Sequence, residues 1–224
     1  MAMMVAVLGL APAQAEQLVK EKTALVFIEF QEEWIGTEAR LGKLLYKDQD
    51  ALKTATRNAA AVLAAARAHG WSVAHTPLQL ASDPDYALFG KGAMKFGLRG
   101  AIPKAKTWHE AGSKFVAPFI PQRGEFVAQG RSGASVITNS TLDPFLRNNG
   151  IDTIVLMGFA THVCVESTLR QAHDLGYNVY VVTDGVAAFE PEQQRHFETH
   201  VLHHFGEGIT ADALIRVMGT SPKP

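Results

Sequence analysis

The sequence predicts an α/β fold in which a parallel sheet is covered by helices on both faces. Three observations carry this: short, nearly continuous apolar runs of strand length, amphipathic stretches between them, and glycines at the C-terminal ends of those stretches. At 224 residues, one large domain is expected rather than two small ones.

The elements follow in order. Ala24 to Phe30 (ALVFIEF) is apolar enough for a strand buried on both faces, and its one charge, Glu29, lies near its C-terminal end. Asp50 to His69 places Leu52, Ala59, Val62, Leu63 and Ala66 at helical spacing, with Gly70 at the stop position. Trp71 to Thr76 is the next strand, ended by Pro77, so the first unit is βαβ. Residues 78 to 124 show no sustained periodicity and are punctuated by prolines at 84, 103, 118 and 121. A stretch of that length reads as a surface excursion serving as a lid or an oligomer contact.

Alternation then resumes. Glu125 to Ala128 is a short strand, Ser140 to Asn149 a helix before Gly150, and Thr153 to Met157 (TIVLM) a buried strand. His162 to Leu175 is a helix closed by Gly176, Tyr177 to Thr183 (YNVYVVT) a strand, and Glu192 to Phe205 a helix. Ile209 begins a last short strand before a terminal helix. The order strand, helix, strand implies parallel pairing with right-handed crossovers.

The first 22 residues stand apart from a domain spanning 23–224. Met1 to Ala15 (MAMMVAVLGLAPAQA) is a short apolar run ending in the small-x-small pattern of a signal-peptide cleavage site, yet no Lys or Arg precedes it. It reads as a signal peptide, which would make the protein periplasmic or secreted, as a mis-assigned start, or as an apolar arm packed on the fold. No stretch reaches the roughly 18 apolar residues of a membrane span.

Composition narrows the function. Lys plus Arg is 21 against 22 Asp plus Glu, and no basic cluster exists to displace the counterions of a polyanion, which argues against nucleic acid. Cys164 is the single cysteine, so neither an internal disulfide nor a cysteine zinc site can form. A resolving thiol for redox sensing is also lacking.

In an open parallel sheet, ligands bind beyond the carboxyl ends of the strands. That rule selects Glu29, the turn from Gly158 to Cys164, and Asp184. Cys164 falls in the first turn of the helix after TIVLM, where unpaired N–H groups favour a thiolate and can hold an oxyanion. Glu29 is the natural proton acceptor for it, since a carboxylate in an apolar run is costly unless paired. His162, two residues from Cys164 on a different helix face, is a weaker candidate.

These residues resemble the isochorismatase-like cysteine hydrolase superfamily. Val26-Phe27-Ile28-Glu29-Phe30-Gln31 with Trp34 is similar to that family's strand ending in Asp-x-Gln and an aromatic. Ser135-Val136-Ile137 and Ser140-Thr141-Leu142 match its middle motif loosely, and residues 150 to 168 around Cys164 match most specifically. The resemblance covers about residues 23 to 210. It implies a three-layer α-β-α, Rossmann-like fold with a six-stranded parallel sheet. It also implies an Asp-Lys-Cys triad that hydrolyses amides or related C–N bonds through a thioester.

Carried over by position, the resemblance makes Cys164 the nucleophile and Glu29 the occupant of the Asp position. It places a cis peptide between Phe159 and Ala160, makes the N–H groups of Ala160 and Cys164 the oxyanion hole, and sets Trp34, Phe159 and Thr161 around the substrate. Counting back from Ser135 puts Arg131 at the Lys position; counting forward gives Gly130. Arg131 keeps a charge near the thiol but surrenders no proton at neutral pH. Either Glu29 and Arg131 form a matched pair, or the lysine role has moved to Lys95, Lys104 or Lys106, or hydrolysis is impaired and the fold serves binding or scaffolding. Residues 75 to 85 lack the Asp-x-His of metal-binding relatives, so neither metal nor other cofactor is expected, and His203-His204 read as solvated. The resemblance further implies a small-molecule substrate, a homo-oligomer (dimer or tetramer) and, without a signal peptide, a cytoplasmic protein.

Overall fold

The computed structural model describes residues 18–220. The expected leader at residues 1–15 lies outside them. Strand β1 (Thr23–Ile28) is buried throughout, as its unbroken apolar run requires. Two short helices, α1 (Glu32–Ile35) and α2 (Arg40–Leu45), lead to α3 (Gln49–His69). Asp48 caps α3 by accepting the N–H groups of Asp50 and Ala51 at 3.1 and 2.9 Å, and Gly70 ends it in the left-handed conformation. Next come β2 (Ser72–Thr76), α4 (Gly97–Ala105), the two-residue β3 (Phe126–Val127), α5 (Leu142–Asn148) and β4 (Thr153–Phe159). A π-type turn at Thr161–Val165 opens α6 (Glu166–Asp174). The chain closes with β5 (Asn178–Ala187), α7 (Pro191–His200), α8 (Leu202–Phe205), β6 (Glu207–Ile209) and α9 (Ala211–Thr220).

The six strands form one parallel sheet in the order β3-β2-β1-β4-β5-β6. Side chains alternate across a strand, so β1 feeds two cores. Leu25 and Phe27 pack with Val62 and Leu63 of α3 and Leu214 of α9, while Val26 and Ile28 pack with Leu146 of α5 and Leu169 of α6. β1 and β4 lie side by side in the middle, with Ile28 paired to Gly158, so their carboxyl ends open at one place. Gly158 has φ +124°, and a Cβ there would collide with the Ile28 carbonyl; only glycine lets the two strand ends approach this closely.

The fold departs from the sequence reading in four places. The excursion over 78 to 124 holds α4 and the 3₁₀ turns Ala87–Gly92 and Glu110–Ser113; Gly100 and Pro103 inside α4 break up its helical signal. The helix expected at 162–175 starts with the wider π turn, and the one expected at 192–205 is interrupted at Val201, whose φ is −119°. β5 runs on to Ala187 through a register shift against β4 between Leu156 and Gly158, which puts Asp184 inside the strand. There Asp184 Oδ1 accepts the Ala211 N–H at the start of α9 (2.8 Å) and Oδ2 accepts from Asn58 of α3 (3.2 Å), so this carboxylate ties helices to the sheet and stands apart from the strand-end site.

One side chain anchors the excursion. Gln31 is fully buried; its Nε2 donates to the carbonyls of Leu78 (3.0 Å) and Ser113 (2.7 Å), and its Oε1 accepts the Leu78 N–H at 2.9 Å.

Candidate active site

Glu29 is the first residue beyond β1. Its φ of +58° is uncommon for a residue with a side chain, and it turns the chain sharply out of the sheet. Across the strand pair, β4 leads through Phe159 and Ala160, joined by a cis peptide, into the π turn that carries Cys164. Arg131 comes from the loop after β3. It folds back on that loop, donating from Nε to the Gly133 carbonyl (3.0 Å) and from Nη2 to the Ala134 carbonyl (2.9 Å).

The three side chains converge, all nearly inaccessible to solvent. Cys164 Sγ donates to Glu29 Oε1 at 3.3 Å, and Arg131 Nη2 donates to Cys164 Sγ at 3.2 Å. Arg131 Nη1 lies 2.5 Å from Glu29 Oε1, an ion contact without hydrogen-bond alignment. The other carboxylate oxygen, Oε2, accepts Trp34 Nε1–H at 2.6 Å. Glu29 is thus held on both oxygens, Oε1 by Cys164 and Arg131 and Oε2 by Trp34.

Burial, more than any charge, pushes the Cys164 thiol up to about 12; Glu29 raises it further and Arg131 opposes both. This reverses the expectation of a thiol poised as thiolate by a helix end, because a π turn in a dry pocket offers a charged sulfur too little compensation for lost water. The pKa of Arg131 is raised as well. Burial alone would weaken its hold on a proton, but the adjacent Glu29 and Cys164 raise its pKa overall, so its cation is permanent.

Beside this cluster is a cavity of about 250 Å³, lined almost wholly by apolar groups. Trp34, Trp108 and Phe189 wall it, Leu41, Leu44 and Leu45 reach it from α2, and Leu98, Ala101, Ile102 and Ala105 reach it from α4. Those α4 positions recur at i, i+3, i+4 and i+7, a stripe that the sequence does show once the segment is read as helix. Thr107, Trp108 and Phe189 carried no such signal.

Among the expected site residues, Glu29, Trp34, Arg131, Ala160 and Cys164 all border the cavity. Phe159 and Thr161 do not. Phe159 is turned into the core against Phe30, with ring centroids 5.0 Å apart, and Thr161 is buried with its hydroxyl donating to Gln194 Oε1 at 2.7 Å. The sequence places both beside the cis peptide but does not say which way each faces. Lys95, Lys104 and Lys106 line a separate open groove and none borders the Cys164 cavity. Among the described residues no helix is long and apolar enough to cross a membrane, and no three His, Cys, Asp or Glu side chains are grouped to hold a metal ion.

The isochorismatase domain family matches residues 23–213 of this chain. Ureidoacrylate amidohydrolase RutB of Variovorax paradoxus is 30% identical over 223 residues, covering 92% of this chain and 85% of that protein. An isochorismatase family protein from Burkholderia thailandensis superposes with a TM-score of 0.74 at 25% identity, covering 90% of this chain and 98% of its own. N-carbamoylsarcosine amidase from Thermoplasma acidophilum superposes with a TM-score of 0.62 at 25% identity, covering 85% and 97%.

Proposed function

This chain belongs to the isochorismatase family of hydrolases, and from that premise we propose that it cleaves the C–N bond of a small amide through a thioester on Cys164. The observation that carries the reading is the mutual contact of Cys164, Glu29 and Arg131 at the edge of an apolar cavity. Relatives of the chain that act on C–N bonds, the ureidoacrylate amidohydrolase and the N-carbamoylsarcosine amidase, support it.

The geometry supports the following sequence of steps. With its pKa near 12, the thiol is protonated in the resting site, so its proton passes to Glu29 Oε1 as Sγ bonds to the carbonyl carbon. The N–H groups of Ala160 and Cys164 take the developing oxyanion. Glu29 hands the proton to the leaving nitrogen, the C–N bond breaks, and ammonia or an amine departs from the thioester. Water then gives a proton to Glu29 as its oxygen bonds to the same carbon; the C–S bond breaks and the thiolate regains its proton from Glu29. Arg131 remains a cation throughout. It stabilises the carboxylate and the sulfur's transient charge, and Glu29 alone carries the proton.

The test is ammonia release from a panel of small amides, with mass spectrometry for an acyl adduct on Cys164. Cys164→Ala is expected to abolish both while leaving the thermal midpoint nearly unchanged. Turnover by Cys164→Ala would sink the assignment. The high thiol pKa also favours a second reading, a binding protein that keeps the fold without the reaction; wild-type protein that releases no ammonia and forms no adduct would select it.

A further inference from the structure

Resting on the reading of Cys164 as nucleophile, we infer that the cavity takes a neutral amide with an apolar, aromatic or branched body and rejects amides that carry a carboxylate. Of the described residues that line it, Arg131 is the one cation; its Nε is held by the Gly133 carbonyl and its Nη2 by the Ala134 carbonyl and Cys164, while its Nη1, without an aligned hydrogen bond, lies in ion contact with Glu29. Glu29 is the one anion and neutralises it. A substrate carboxylate would therefore enter an apolar chamber with no counter-ion left for it, a placement that costs far more than the chamber's contacts return.

The walls state what does fit. The faces of Trp34, Trp108 and Phe189, with the leucines of α2, suit a ring or a branched alkyl group, and the volume of about 250 Å³ lies below the roughly 300–1,000 Å³ of drug-sized sites. The mouth is apolar as well, since Leu44 and Leu98 are exposed there. One wall group asks for a partner. Thr107 is buried, and its Oγ1 makes no hydrogen bond within the protein. A buried hydroxyl left unpaired is costly, so it is the structure's provision for a polar atom of the amide and acts as a specificity residue.

The experiment compares benzamide and isovaleramide with succinamate and ureidoacrylate, measuring ammonia release and the thermal midpoint of the wild-type protein. Neutral amides are expected to show kcat/KM at least about a hundredfold above the carboxylate-bearing ones. Thr107→Val should raise KM for benzamide several-fold with kcat little changed. Leu98→Lys, at a partly exposed position on the cavity mouth, should narrow the preference by about tenfold by supplying the missing cation. Succinamate or ureidoacrylate hydrolysed as well as benzamide would overturn the inference while leaving the hydrolase reading intact. A midpoint raised by benzamide and not by succinamate, without ammonia release from either, would uphold the pocket's selectivity and overturn the hydrolase reading. Neither binding nor hydrolysis of any of the four would overturn the inference.

Discussion

Cys164 Sγ lies 3.3 Å from Glu29 Oε1, and that carboxylate adds to the effect of burial in keeping the thiol protonated. Arg131, 3.2 Å from the same sulfur, works in the opposite direction. In the proposed reaction, the group that accepts the proton is thus also one that raises the thiol pKa.

The opposed influences predict opposite signs for two variants. In alkylation by iodoacetamide followed against pH, wild type should titrate far above the ordinary value of 9.0, toward about 12. Glu29→Gln should lower the apparent thiol pKa and Arg131→Met should raise it. Shifts of the same sign in both variants would dismiss this account of the electrostatics.

Glu29 and Arg131 are expected to behave as a matched pair. Asp at 29 is shorter by one methylene, and Lys at 131 lacks the fork that grips Gly133, Ala134 and Glu29 together. Each of Glu29→Asp and Arg131→Lys should cut kcat/KM by about a hundredfold or more. The double variant should fall short of the product by at least about tenfold, a coupling near 1.4 kcal/mol. Losses that multiply would mean the two positions act independently.

Removing one member of the pair outright has a cost in stability. Arg131→Ala leaves Glu29 as a buried carboxylate without its cation, and urea denaturation should register a loss of about 3–5 kcal/mol. A loss under about 1 kcal/mol would show that water reaches and screens Glu29.

A second charged cluster governs acid stability. Glu125 is largely buried, which by itself raises its pKa, but Arg67 (Nε–Oε1 2.7 Å), the Gln122 N–H and His75 together bring it down to about 2. His75, fully buried, is shifted below 6.5 by burial and by Arg67, against the pull of Glu125. Both folded values lie below the unfolded ones, so each contribution is present at higher pH and is lost on acidification. His75 acts first, below about 6.5, and Glu125 follows between about 4.5 and 2. Thermal midpoints measured from pH 7 to 2 should fall in both windows. Glu125→Gln should flatten the lower one; a profile identical to wild type there would discount the cluster.

Much of the candidate site could be read from residues alone because its residues sit where the chain pattern changes. Glu29 is a charge at the end of an apolar strand, and Cys164 follows the join between TIVLM and a helix; both positions are marked by one-dimensional periodicity. What could not be read depends on facing and on burial. Phe159 and Thr161 flank the same turn as Ala160 yet point into the protein, and no periodicity operates across a turn to say so. Asp184 looked like a strand-end residue because the apolar run YNVYVVT stops just before it, whereas the strand continues through it. The thiol's direction of shift was misjudged because the helix-end argument counts dipoles without counting lost water. The α4 wall was hidden by a proline and two glycines within nine residues.

Gln31 separates what this protein does from what it does it to. A single buried amide clasps both roots of the excursion, at Leu78 and Ser113, and sits two residues from Glu29. The 34 residues between those roots therefore form a closed cassette whose ends stay put whatever lies within it. The cassette supplies α4, Thr107 and Trp108 to the cavity, whereas Glu29, Arg131 and Cys164 all lie outside it. Closing such a loop costs only slowly more as it lengthens. If the proposed reaction holds, a change of length or sequence within the segment is expected to alter the cavity wall while leaving Glu29, Arg131 and Cys164 at the strand ends in place.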